Sequence, residues 1–152
     1  MLEILELRRE GFNEKVSIGE SIEYSGEKYI IIRIIEIRKL YFSRSINLKV
    51  RVLAQNVKHI SNYRNYKREA ILTSRYDQSK EDKRIIKKGD IIFPKPGIAY
   101  EVVSINQFYY EWLDIIVEYY ARMIVPWSKE EMDEALKNER KSKFKVLEGI
   151  KG

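Results

Sequence analysis

The strongest constraint on the fold of this chain is a pattern that occurs twice. Residues 19–34 read GESIEYSGEKYIIIRI, and residues 89–105 read GDIIFPKPGIAYEVVSI. Gly19 matches Gly89, Glu20 matches Asp90 and Ile22 matches Ile92. After one inserted residue Gly26 matches Gly97 and Tyr29 matches Tyr100, and Ile31, Ile32 and Ile34 then match Val102, Val103 and Ile105. Each copy reads as a short strand, a tight turn and a longer strand. Gly26 and Gly97 supply positive φ where the chain reverses. Two such copies predict a mainly β chain, an antiparallel small barrel or sandwich built from two related hairpin units.

The flanking sequence extends each unit. In INLKVRVLAQ, Ile46, Leu48, Val50, Val52 and Ala54 alternate with mostly polar residues, the period of a half-buried strand. The preceding run KYIIIRIIEIRKLYF places Ile30, Ile32 and Ile34 on one face, after which Ile35 and Ile37 take over the apolar role. A phase change of one residue predicts a β-bulge near Ile34–Ile35. With a turn at 43–45, the two runs form an antiparallel hairpin. In the second unit, Pro94 and Pro96 forbid regular pairing before AYEVVSINQFYY. Residues 111–125 fit both periods. Leu113, Ile115, Val117, Tyr119, Ala121, Met123 and Val125 alternate as a strand would, and Trp112, Ile116, Tyr119, Tyr120 and Met123 make a helical stripe. Strand is preferred because the position corresponds to INLKVRVLAQ.

Between the units, REAILTSRY reads as a strand, DQSKEDK as a polar loop, and RIIKKGDII as the return to the sheet. Ile60, Tyr63 and Tyr66 either cap the core or lie on an exposed arm. Ser128 and Glu131 form a capping box that opens a C-terminal α-helix, with Arg140, Lys141 and Lys143 near its end. Only Met132, Ala135 and Leu136 give that helix an apolar stripe. The expected organisation is a β-rich domain over 1–127, with hairpin units at about 16–55 and 85–125 joined by a basic segment at 57–88. A helix and tail follow over 128–152. The tail residues Phe144, Val146, Leu147 and Ile150 are candidates for docking on a partner.

Composition narrows the function classes. The chain has 152 residues, 44% hydrophobic and 34% charged, which suits one ordinary globular core. Cysteine is absent, so disulfides, thiolate catalysis and cysteine zinc sites are excluded. The first residues lack a basic segment followed by a long apolar one, so synthesis in the cytoplasm is expected. No apolar run approaches the roughly 18 residues that span a bilayer, and no membrane contact is expected.

The net charge of +6 is concentrated in one place. Residues 57–88 hold ten basic and four acidic side chains, and the remainder of the chain balances at nineteen of each. A local cationic excess suggests an anionic partner, and an ordinary solvated loop is the plainer alternative. Candidate contacts to nucleic acid or to a protein partner are Lys58, Arg64, Lys67, Arg68, Arg75, Lys83, Arg84, Lys87 and Lys88. Tyr63, Tyr66 and Tyr76 are interleaved with them. Cations that neutralise phosphate beside rings on which bases stack are the elements of single-strand binding. Tyrosine and arginine are equally the residues of protein interfaces.

Catalytic signatures are missing. His59 is the sole histidine, and no nucleophile-elbow pattern accompanies it. Asp77, Asp82 and Asp90 fall in turn-like contexts that favour Asp without any metal. Glu111, Asp114 and Glu118 read as solvated positions, with Asp114 and Glu118 beside Arg122 on a polar strand face. No phosphate-binding glycine loop is present. The expectation is a protein that is not an enzyme, with no metal, no cofactor and no small-molecule substrate.

The run KKGDIIFPKPGIAYEVVSI, preceded by AILTSRYDQSKEDKRI, resembles the head-closure and head–tail joining proteins of tailed bacteriophages. The matching positions are Gly89, Asp90, Ile92, Gly97, Tyr100 and Val102, within about 35 residues. Those are small, cysteine-poor β-barrel proteins that assemble as rings at the portal vertex. The repeated unit and the charged C-terminal helix depart from that pattern. The resemblance implies a structural role as a head–tail connector, neck or tail-completion component in a virion or phage-like particle. Its partners would be copies of itself in a homo-oligomeric ring, other particle proteins, and DNA if the basic segment lines a channel. A nucleic-acid-binding β-barrel module using residues 57–88 is the alternative.

Overall fold

The computed structural model describes residues 1–11, 14–40, 47–79 and 84–151, with side chains described up to residue 142. The chain is mainly β, as expected, with two four-stranded antiparallel sheets, one curled into a half-barrel, and a C-terminal helix. The strands are β1 (Leu2–Glu10), β2 (Ser21–Tyr24), β3 (Glu27–Leu40), β4 (Asn47–Asn56), β5 (Glu69–Tyr76), β6 (Ile91–Lys95), β7 (Ile98–Glu111) and β8 (Asp114–Met123). The helix α1 spans Lys129–Lys151.

The division of the chain differs from the expected one. One compact unit comprises residues 1–60 and 126–152, and the other comprises 61–125. The helix therefore belongs to the first unit. Residues 57–88 are no linker, because β5 within them is the first strand of the second sheet. REAILTSRY, expected as a strand, is this β5, and Ala70 and Leu72 are the positions it packs against the second core.

The two sheets repeat one topology. The strand order is β1-β4-β3-β2 in the first unit and β5-β8-β7-β6 in the second. The long hairpin β3–β4 breaks register between Ile31 and Arg33 and again between Ile34 and Glu36. The hairpin β7–β8 breaks register at the equivalent places, between Val102 and Ser104 and between Ile105 and Gln107. The bulge expected near Ile34–Ile35 is the second of these. Ile31 faces Ala54 as Val102 faces Ala121, and Ile34 faces Val52 as Ile105 faces Tyr119. Bulges increase local twist, and both hairpins carry them at the same two places.

The glycine-led turns repeat to the level of single hydrogen bonds. Gly19 N–H donates to the Ile31 carbonyl at 2.7 Å, and Gly89 N–H donates to the Val102 carbonyl at 2.8 Å. Ile31 N–H donates to the Glu20 carbonyl at 2.9 Å, and Val102 N–H donates to the Asp90 carbonyl at 2.9 Å. The acid after each glycine folds back. The Glu20 carboxylate accepts from Ser17 N–H and that of Asp90 from Lys87 N–H, both at 2.9 Å. Gly19 and Gly89 stand at φ +90° and +93°, a region that a Cβ disfavours. This is the physical content of the Gly-acid pattern in the sequence.

Each unit has its own apolar cluster. In the first, Leu5, Leu7, Tyr29, Ile31, Val50, Val52 and Ala54 are buried together. In the second, Ile98, Tyr100, Val102, Val117, Tyr119, Ala121 and Met123 occupy the corresponding face. Residues 111–125 are strand rather than helix, apart from the turn at Trp112 and Leu113. Leu113 and Val125, expected on the core face, are exposed, because the turn and the strand end carry them past the body. β4 also exceeds the expectation of one buried face, since Leu53 and Gln55 are buried on the other. The turn proposed at 43–45 lies outside the described residues.

The capping box forms. Glu131 N–H donates to Ser128 Oγ at 3.1 Å, and Ser128 N–H points back to the Glu131 carboxylate at 3.5 Å. Met132 is buried, with Ala135 and Leu136 half-buried, so the narrow stripe is used within the first unit. The Glu139 carboxylate accepts from Ser21 N–H at 3.2 Å and from Ser21 Oγ at 2.7 Å, which ties the helix to the edge strand β2. The residues read as a tail after a polar helix continue that helix through Lys151. The side chains of Phe144, Val146, Leu147 and Ile150 lie outside the described residues.

Candidate functional site

The basic residues singled out in the sequence are not equivalent groups. Lys58 belongs to the first unit, and the rest of the described set belongs to the second. Arg75 is engaged by two acids, Asp114 at 2.8 Å and Glu111 at 3.1 Å. Arg84 pairs with Asp90 at 3.1 Å. Lys58, Arg64, Lys67, Arg68, Lys87 and Lys88 are exposed. Lys83 lies outside the described residues.

The interleaved tyrosines divide by role. Tyr63 packs against the second core, with the Arg64 guanidinium 5.9 Å from its ring centre. The Tyr76 hydroxyl accepts from Ile86 N–H at 2.9 Å, and its ring is half-buried on the same core. Only Tyr66 of the three is exposed. A row of free rings for base stacking is therefore not what these positions present. The segment around them is not an arm either, since the Lys67 carbonyl accepts from the Tyr100 hydroxyl and the Arg68 carbonyl from Met123 N–H.

His59 lies in a polar cluster of the first unit. The Tyr29 hydroxyl donates to Glu3 at 2.9 Å, Asn56 Nδ2 donates to Glu27 at 2.8 Å, and His59 Nε2 is 3.4 Å from Glu27. The Asn56 side-chain carbonyl accepts from Lys58 N–H and His59 N–H and so closes the chain after β4. Burial and the bond to Glu3 push the Tyr29 hydroxyl up to about 12, so it stays protonated at neutral pH. These contacts brace the β1–β4–β3 edge. Among the described residues no group of three or more metal-ligating side chains is assembled. No described helix is long and apolar enough to cross a membrane.

A feature not singled out in the sequence is more prominent. Beyond the second bulge, the β7–β8 hairpin carries Phe108, Tyr109 and Tyr110 to a two-residue turn at Trp112 and Leu113. All five side chains are exposed, Trp112 at 94%. Phe108 and Tyr110 lie on the same face as the core residues Val117 and Ile115, which they oppose in register. Each apolar side chain kept in water forgoes roughly 1.5–3 kcal/mol that burial would return. Trp112 also stands at φ +58°, a region usually left to glycine or asparagine.

The arm is braced beneath its tip. Glu111 and Asp114 close the hairpin opposite one another, and Arg75 of β5 reaches both. Four pairs further down the hairpin, Gln107 Nε2 donates to Glu118 at 2.7 Å. The rings are thus displayed on a supported scaffold rather than a loose loop. The signal available in the sequence was NQFYYEWLD, where large apolar side chains occupy both alternating faces of one strand end.

A shallow groove of about 470 Å³ lies between the turn before β2 and helix α1, lined by Ile18, Gly19, Glu20, Ala135, Asn138 and Glu139 among others. Of its lining, the Glu20 and Glu139 carboxylates are engaged in the contacts that hold the turn and the helix. No protein-family model matches the chain, and no curated protein or solved structure shows significant similarity to it.

Proposed function

We propose that this chain is a structural assembly protein that joins other protein subunits and catalyses nothing. It would be a ring-forming head–tail connector, neck or tail-completion component of a phage-like particle, made in the cytoplasm and retained in the particle. The observation that carries the reading is the exposed aromatic tip of the β7–β8 arm, headed by Trp112. Aromatic side chains on a supported hairpin are the common anchors of protein interfaces. The hairpin of Gly89, Asp90, Gly97 and Tyr100, on which the resemblance to joining proteins rests, is the one that leads into this arm. Size-exclusion chromatography with light scattering, across a concentration series, tests the reading. Oligomers are expected, and a monomer at every concentration overturns it.

A second reading draws on Arg64, Tyr66, Lys67 and Arg68, which are exposed within five consecutive positions. A compact cationic patch of this kind favours contact with a nucleic-acid strand. Fluorescence anisotropy of a labelled single-stranded oligonucleotide decides it. Binding that weakens steeply with added salt supports it, and no binding at low salt dismisses it.

A further inference from the structure

The two long hairpins share one backbone plan and differ sharply in charge. Past the second bulge, the β3–β4 arm (residues 36–40 and 47–51) holds Arg38, Lys39, Lys49 and Arg51 against Glu36, a net +3. The equivalent β7–β8 arm (residues 107–111 and 114–118) holds Glu111, Asp114 and Glu118 with no basic residue, a net −3. Register equates Arg38 with Tyr109, Lys39 with Tyr110 and Arg51 with Glu118. Both arms adopt the same pairing and the same bulges, so folding does not demand this divergence.

We propose that copies of this chain join head to tail, with the basic β3–β4 arm of one copy seated on the acidic, aromatic β7–β8 arm of the next. The inference rests on the reading of the chain as an assembly protein and names the two surfaces that meet. Like arms repel and unlike arms attract, which disfavours a symmetric contact of an arm with itself and favours a heterologous one. Heterologous contacts propagate from copy to copy and close into a ring where the rotation permits. Arg38 and Lys39 supply the cations that the faces of Tyr109, Tyr110 and Trp112 attract. Ile37, which is exposed at the position equivalent to Phe108, adds an apolar contact.

The charges already have local neighbours, and these do not cancel the complementarity. Arg38 lies 3.1 Å and Arg51 3.8 Å from Glu36, and Lys49 lies 3.3 Å from Glu6. Exposed pairs of this kind contribute little and exchange readily. Counting Arg75 with the acidic arm leaves it at −2. Glu6, Arg8, Arg9 and Glu10, the charges of the edge strand that pair with the basic arm, cancel one another.

Two charge-reversed full-length chains test the pairing. One carries Arg38→Glu, Lys39→Glu and Arg51→Glu, and the other carries Glu111→Lys, Asp114→Lys and Glu118→Lys. Each then has two arms of like sign. In light scattering at low salt, each alone is expected to associate at least about tenfold more weakly than the natural chain. An equimolar mixture is expected to assemble again. Should a reversed chain fail to fold, as judged by circular dichroism, Arg38→Gln with Lys39→Gln is read in its place, with the same weakening expected. If the natural chain assembles and the altered chains assemble equally well, the arm pairing is overturned while the assembly reading stands. If the natural chain is monomeric throughout, both are overturned.

Discussion

The side chain of Gln55 and the backbone of Trp127 bond each other twice. Gln55 Nε2 donates to the Trp127 carbonyl at 2.9 Å, and Trp127 N–H donates to Gln55 Oε1 at 2.7 Å. The amide thus stands in for a strand neighbour and holds the chain at the entry to α1. Gln55 is 2% exposed, so its replacement by Leu leaves two backbone groups without their partner in a dry setting. Gln55→Leu is expected to cost about 2–4 kcal/mol of stability. Urea unfolding measures the loss, and hydrogen exchange should show the start of α1 opening first.

Gly19 and Gly89 provide a matched pair for the repeated turn. A Cβ at Gly89 would meet nothing within 4 Å, and one at Gly19 would make only an ordinary 3.7 Å contact with Trp127. The cost of Ala at either position is therefore backbone strain alone, about 1–2 kcal/mol. The two substitutions are expected to destabilise by equal amounts, measured by denaturant unfolding. A large inequality would show that the turns are not equivalent.

Tyr29 and Tyr100 occupy equivalent buried positions, and both hydroxyls are pushed up, chiefly by burial. For Tyr29 the bond to Glu3 adds to the rise, which reaches about 12. A folded-state value above the unfolded one means that the native chain holds its proton longer. The stabilisation is complete below the unfolded value near 10 and is lost as pH climbs towards about 12. Stability is expected to fall across that window. Tyr29→Phe should flatten the fall when unfolding is followed at successive pH values.

Trp112 touches no core and holds a positive φ, so stability does not explain it. Trp112→Gly is expected to leave thermal stability unchanged or to raise it by as much as about 1 kcal/mol. The same substitution should weaken self-association in light scattering. Loss of both stability and association together would place Trp112 in the fold rather than in an interface.

The sequence by itself determined the local grammar of this protein. The Gly-acid pairs at Gly19 and Gly89, the tight turns at Gly26 and Gly97, the bulge after Ile34 and the Ser128–Glu131 cap are all set by a few adjacent residues. Such features depend on φ preference, side-chain period and short hydrogen bonds, and these are legible along the chain. Tertiary structure decided what distant residues do for each other. β1 lies beside β4, β5 completes a second sheet from within a basic segment, and Gln55 meets Trp127 across more than seventy positions. The fate of each tyrosine was decided there as well, since Tyr76 turns its hydroxyl to Ile86 N–H while Tyr110 stands in water. Residue type cannot separate those two outcomes. Burial depends on which strand arrives alongside: beyond the second bulge β8 stays in the core through Val117, while Phe108 opposite it on β7 is exposed.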